Sequence, residues 1–402
     1  MFILIIRIII STGKHSTTEK KMPNDSSQLN YTFGQAPQTF CNFGTECRSK
    51  VDNLISFESG IDRVRQLEND WKCIDSIQPL KFAHIDFTGS EVSFTFRNKK
   101  SIGKEARITR HALKQIANYI QPRTMSGRKV SMYNSTEATC LIDNEFRKLS
   151  TIQWSKLMGS SSADVLFRSK VIDGIRTITS VQSQKYAPIF DSQVLAKLQE
   201  RNPSFKFANA YVSSVQSNFR LLEARELTLN DPVDMYDLHN SGSGLRGLHL
   251  FLKAYLLVCT NGMVTSNTKN SFYRRHFGDR EFILNQFADK IEEMKGGNEE
   301  FLAMYRKART VGLNNLWETL LYRLQMTDVE KEDMMIASSA HSLIASPINT
   351  LGHAVDTITL AAQKKSDPFE RHLLECKATD FMTLAFEDII AGKALIPQKL
   401  LA

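Results

Sequence analysis

The hydrophobic period changes near Asp279, and that change constrains the fold more than any other feature. Before it, short runs either alternate apolar with polar residues or are apolar on both faces; after it, apolar residues recur at helical spacing. Residues 165–181, VLFRSKVIDGIRTITSV, hold two β-rich runs around Asp173-Gly174, a dipeptide that accepts the positive φ angles of a tight hairpin turn. Residues 85–98 read as another hairpin, with Val92, Phe94 and Phe96 alternating and Gly89 at the turn. Short strands continue through 205–229, and the run 248–258 is apolar on both faces, as a centrally buried strand would be.

Helical signals stand on either side of this β-rich stretch. Thr109 can cap a helix whose stripe is Leu113, Ile116, Ala117 and Ile120 and which Pro122 stops. Past Asp279, Ile283, Phe287, Ile291 and Met294 line one face before Gly296-Gly297. Thr327 with Glu330, and Asp367 with Pro368 and Glu370, open two further helices. Strands first and helices after predict an α+β protein: an antiparallel or mixed β-sheet core with helices, followed by an α-helical C-terminal subdomain. Strict strand–helix alternation, which a parallel α/β sheet needs, is absent.

At 402 residues the chain can bury an ample core in one large unit or two joined ones. Three regions are expected. Residues 1–44 are a flexible tail, 45–265 an α+β core carrying a basic hairpin–helix segment, and 266–402 the helical subdomain. The start, MFILIIRIII, is broken by Arg7 and is too short to span a bilayer, which takes ~20 apolar residues. Met22 opens a more ordinary polar start, so residues 1–21 read as an upstream extension. Gly13-Lys14 lacks the earlier glycine of a phosphate-cradling loop. Six cysteines are scattered without a CxxC pair or a histidine at ligand spacing, arguing against a zinc module and a disulfide framework alike. Reduced thiols in a cytoplasmic protein fit that pattern, and no cofactor is expected.

The formal charge of +8 is concentrated. Arg97, Lys99, Lys100, Lys104, Arg107, Arg110, Lys114, Arg123, Arg128 and Lys129 face a single acid in their segment, Glu105. Arg107, Arg110 and Lys114 are spaced to share the side of the helix opposite its apolar stripe, where they could neutralise phosphates together. A solvated face balanced by acids elsewhere is the alternative. A second group, Lys269, Phe272, Tyr273, Arg274 and Arg275, interleaves aromatics with cations in an expected loop after the Asn261-Gly262 turn. Such a group suits single strands, whose bases stack on aromatic rings; the competing reading makes Phe272 and Tyr273 core anchors.

Enzyme signatures are missing: there is no HExxH, no GxSxG and no complete phosphate loop. Asp234, Asp237 and His239 are close enough in sequence to ligate a metal, but acids near a loop are usually solvated, so no metal site is expected. The turn NSGSGLRG at 240–247 could form an anion nest with Arg246, or simply reverse the chain.

Several segments together resemble one family. Residues 240–278 run from that glycine turn through a strand ending LLVCTNG to the segment YRRHFG. SVQSQKYAPIFDSQVLAKL at 180–198, INTLGHAVDTITLAAQ at 348–363 and FERHLLECKATDFM at 369–382 complete the pattern, with Gln184 and Lys185 where the family usually has Asp-Arg before Tyr186. Over about residues 70–390 the chain is similar to the phage/plasmid-like proteins grouped as domain-of-unknown-function family 932. The resemblance implies a mobile-element setting, and with the basic groups it favours a nucleic-acid-binding protein acting in the host cytoplasm. Single-stranded DNA, in replication or recombination, is the expected partner, with strand annealing as a specific activity. No membrane partner is expected, and self-association stays open. The rivals are a structural protein whose helical tail mediates assembly, and an unrecognised nucleic-acid enzyme.

Overall fold

The computed structural model describes residues 31–33, 55–87, 92–96, 106–120, 147–223, 232–258, 261–295, 299–312, 324, 326–339, 349–365 and 368–390. These residues form an α+β protein with two β-sheets. The strands are β1 (Tyr31–Phe33), β2 (Ile55–Ser56), β3 (Ile74–Pro79), β4 (Ala83–Asp86), β5 (Ser93–Phe96), β6 (Ala106–Ile108), β7 (Asp164–Ile172), β8 (Ile175–Ser183), β9 (Phe205–Val212), β10 (Ser217–Glu223), β11 (Pro232–Asn240), β12 (Leu248–Val258) and β13 (Asn261–Arg274). The helices are α1 (Phe57–Asp70), α2 (Arg110–Ile120), α3 (Arg147–Gly159), α4 (Asp191–Arg201), α5 (Arg280–Met294), α6 (Glu299–Ala308), α7 (Asp328–Ser338), α8 (Leu351–Gln363) and α9 (Pro368–Ile390).

The smaller sheet has the order β3-β7-β8-β6-β5-β4 and is mixed, because β6 runs parallel to β8 while the other pairs are antiparallel. Its centre is the β7–β8 hairpin. Asp173 and Gly174 take φ of 52° and 75°, the left-handed pair that a two-residue turn demands, and Ile172 then faces Ile175. The expected hairpin near residue 90 is present as β4 and β5, with its turn residue Gly89 outside the described residues. Helix α2 starts where expected: Thr109 Oγ1 accepts from Ala112 N at 3.2 Å. Its stripe of Leu113, Ile116, Ala117 and Ile120 is buried against this sheet, beside Trp154 and Met158 of α3.

The larger sheet has the order β1-β9-β10-β11-β12-β13, with β2 also on β9, and its pairs are antiparallel throughout. Strand alternation splits it into two chemically different faces. On one, Phe219, Leu221, Tyr236, Leu238, Leu248, Leu250 and Leu252 pack against α1, α4 and α5. On the other, Arg220, Asp237, His239, Phe251 and Lys253 meet α9, and Asn218 lies beside Asp237 and His239. Helices α6 to α9 share a separate apolar cluster that touches the sheet at Ala254.

Two expectations are corrected by this arrangement. The basic group from Lys269 to Arg274, expected in a loop after an Asn261-Gly262 turn, lies on β13, and Asn261 and Gly262 already pair with Val258 and Leu257, because pairing along β12 satisfies this backbone. The sheet therefore extends past residue 265 to Arg274, and helices resume at Arg280. Arg107, expected on a helix beside Arg110 and Lys114, lies on β6 opposite Ser93 and Thr177. The capping box of α7 is as expected, with Glu330 N 3.3 Å from Thr327 Oγ1 and Glu330 Oε2 2.8 Å from Thr327 N. Among the described residues no helix is long and apolar enough to cross a membrane.

Candidate functional site

Of the first basic group, Arg97, Lys99, Lys100, Lys104, Arg123, Arg128 and Lys129 lie outside the described residues, and so does the side chain of Arg110. Arg107 and Lys114 are both half-buried. The second group is divided by the alternation of β13. The Phe272 ring is buried and packs edge-on against Phe287 at 5.6 Å, so it anchors α5 instead of offering a face for a base. Tyr273 is 49% exposed, with its ring 4.3 Å from His249. Arg274 and Arg275 are exposed; Arg274 Nε donates to Gln286 at 2.8 Å and Arg275 Nε to the Tyr273 hydroxyl at 3.3 Å. The chain beyond adds residues that sequence reasoning passed over. Phe277 is 59% and Phe282 60% exposed, and Arg280 is exposed beside them. Apolar rings left in water next to guanidinium groups were the available signal, but exposure cannot be read from a sequence.

The glycine turn at 240–247 is not an open anion nest. Ser241 and Ser243 are buried, and the Ser243 carbonyl accepts from Ser180 Oγ at 2.7 Å, Gln182 Nε2 at 2.7 Å and Gln115 Nε2 at 3.0 Å. Gly244 has φ +73°, which L side chains rarely adopt, and a Cβ there would also displace the Gln182 amide from the Ser243 carbonyl, so glycine suits the turn that plugs against β8 and α2. The turn thus joins the two sheets.

At that junction lies a pocket of about 30 Å³, room for about one or two waters, lined by Glu68, Trp71, Cys73, Arg168, Lys170 and Asp191 among others. Arg168 holds Asp75 in a two-pronged pair, both contacts 2.7 Å. Lys170 sits 3.9 Å over the Trp71 ring and donates to Ser214 O at 2.9 Å; burial pulls its ammonium down to about 8. Glu68 accepts from Ser192 N at 3.1 Å, yet burial, reinforced by the neighbouring Asp191 carboxylate, pushes it up to about 7. A carboxyl whose folded value lies above its unfolded one stabilises the fold while both states are protonated. That contribution is complete below about 4.5 and is lost as pH rises through about 7. Glu68→Gln, which cannot ionise, is therefore expected to flatten the stability profile between those values and to be relatively more stable than the parent at pH 8, as chemical denaturation across pH would measure.

The most concentrated chemistry lies between the polar sheet face and α9. Glu375 is fully buried and receives Arg220 Nη2 at 2.7 and 3.0 Å. Lys253, buried in the middle of β12, bridges Glu375 and Asp237. Asp237 also faces Arg220 at 3.6 Å, and its Oδ1 lies 3.3 Å from His239 Nε2 and 2.5 Å from Asn218 Nδ2. Burial alone would raise Asp237, but Lys253, His239 and Arg220 outweigh it and hold the carboxyl well below the usual range. His372 of α9 stacks on Phe251 at 4.0 Å and approaches His239 at 5.4 Å between centroids; burial pulls its imidazole well below the usual range. Asp237, His239 and His372 each offer a donor atom, and those atoms lie within 4.8 Å of one another. Asp237, expected to be solvated, is thus buried, while Asp234 points to the opposite face and is half-buried. The local signal for this cluster was faint: a lone lysine inside the apolar run 248–258, where an unpaired charge would be prohibitive.

Comparison with family models, with curated proteins and with solved structures gives no match.

Proposed function

We propose that the chain binds single-stranded nucleic acid along the segment from Tyr273 to Phe282. One observation carries the reading: the rings of Tyr273, Phe277 and Phe282 stand in solvent, interleaved with exposed Arg274, Arg275 and Arg280. Exposed rings supply stacking faces for bases of any sequence, and guanidinium groups between them track the phosphates. Support comes also from the net charge of +8, which favours a polyanionic partner, and from the resemblance to the phage/plasmid-like family. DNA as the strand, and annealing as the outcome, are the finer forms of the proposal.

Fluorescence anisotropy with single-stranded and duplex oligonucleotides over a range of salt tests it. Wild-type chain should prefer the single strand. Tyr273→Ala should weaken binding by about 5- to 150-fold with little change in salt slope, because a stacked base contributes roughly 1–3 kcal/mol and releases few ions. Changing Arg274, Arg275 and Arg280 together to Ala should make the slope shallower by roughly 2 units, at about 0.7 per phosphate contact. These side chains are exposed, so both variants should melt like the parent. An absence of binding at low salt, or a folded triple variant with an unaltered slope, would refute the proposal; concentration-dependent assembly in its place would favour the structural rival.

A further inference from the structure

The geometry points to a binding site for one first-row divalent transition-metal ion, zinc by class, held by Asp237, His239 and His372. Asp237 and His239 are two residues apart on β11 and therefore share a face, and α9 brings His372 across to them. All three are buried, and their donor atoms fall within 4.8 Å of one another, close enough for side-chain adjustment to bring them onto one ion with bonds of about 2.0–2.2 Å. Two imidazoles and one carboxylate suit zinc or its neighbours. Calcium and magnesium, which take about six or more oxygens, are poorly served by one carboxylate.

Asp237 and Glu375 are balanced in charge by Arg220 and Lys253, and His239 Nε2 joins the network 3.3 Å from Asp237 Oδ1. Both imidazoles are fixed in place. Phe251 packs on the His372 ring, and the Cys376 thiol, one turn along α9, lies 3.4 Å from its Nε2. The Asn218 amide lies 2.5 Å from Asp237 Oδ1 and 3.2 Å from His239 Nε2, so these two donor atoms already converge on one point. An ion would take over that bridging place from the amide. Lys253 and Arg220 would remain behind Asp237 as outer partners that orient the carboxylate. Because the network is already neutral, the ion's charge calls for an anion, hydroxide or a larger one, in the coordination position that three protein ligands leave open. The site is separate from the Tyr273–Phe282 segment, so either proposal can fail without the other.

The test uses the full chain, stripped with a chelator and titrated with Co²⁺ alone, then with Zn²⁺ in competition. The expected result is saturable binding of one equivalent, visible as cobalt d–d absorption that Zn²⁺ displaces. X-ray absorption of the zinc-loaded wild-type chain should show imidazole ligands and no sulfur, since the Cys376 thiol is outside the donor set. His239→Ala and His372→Ala, where they keep a cooperative melt, should each lose at least about 10-fold in affinity, the loss that removing even an outer partner can bring. His84→Ala, on the other sheet, should bind like the parent. Any one of three results would overturn the site: no saturable binding, a sulfur ligand shell, or folded His239→Ala and His372→Ala chains that bind as tightly as wild type. If both variants fail to fold, the wild-type titration and its ligand shell decide alone.

Discussion

Lys253→Met should destabilise the protein by about 3–5 kcal/mol, the usual cost of breaking a buried ion pair by removing one partner. The substitution keeps an unbranched side chain, one atom shorter, and removes the ammonium with its charge and its donors. Asp237 and Glu375 would then share one permanent cation, Arg220, with only the His239 imidazole beside Asp237 to help, so the buried pair would be short of one counter-charge. The loss should deepen with rising pH, because protonating that carboxyl is the cheapest escape available to the folded state. Chemical denaturation at pH 5 and pH 8 measures both effects. A second variant separates charge from packing: replacing Arg220, Asp237, Lys253 and Glu375 together by apolar residues of similar volume removes the imbalance and should recover most of the loss. A Lys253→Met chain with an unchanged midpoint would show that the network does not hold α9 to the sheet.

Replacing Asp173-Gly174 by Val-Val should cost at least about 1–2 kcal/mol, the strain an L side chain carries in the left-handed region, because Gly174→Val adds it in full and Asp173→Val loses a residue type that tolerates the φ of 52° already present there. A β-branched side chain is among the worst tolerated there. The effect reaches beyond the turn. The β7–β8 hairpin lies in the middle of the smaller sheet and supplies Arg168 and Lys170 to the junction pocket, so a shifted register would move both. Asp173→Asn, which accepts the same φ, should melt close to the parent. Equal midpoints for the Asn and Val-Val variants in urea would mean that the turn is not the one described.

Local signals carried much of the architecture. The stripe of Leu113, Ile116, Ala117 and Ile120, the Asp173-Gly174 turn and the Thr327–Glu330 box each concern residues within a few positions of one another, and each is present where its pattern lies. Signals that depend on exposure or pairing misled. Phe272 and Tyr273 are neighbours of the same type in the sequence, yet one is core and the other is in solvent, because β13 is a strand whose alternate residues face opposite ways. Nothing local separates them from ring residues of a loop.

The candidate metal site shows the boundary most clearly. Residue by residue, the chain already determines that 248–258 must be buried and that Lys253 within it needs a partner, because hydrophobic periodicity and the cost of a bare charge act locally. Which partner it finds was decided only by tertiary structure. Lys253 and Glu375 are 122 residues apart, and Arg220 and Glu375 are 155 apart, brought together when α9 closes over one face of the larger sheet. Spacing in sequence carries no information across such distances; convergence of Asp237, His239 and His372 arises from strand register and helix docking, which are properties of the folded chain as a whole.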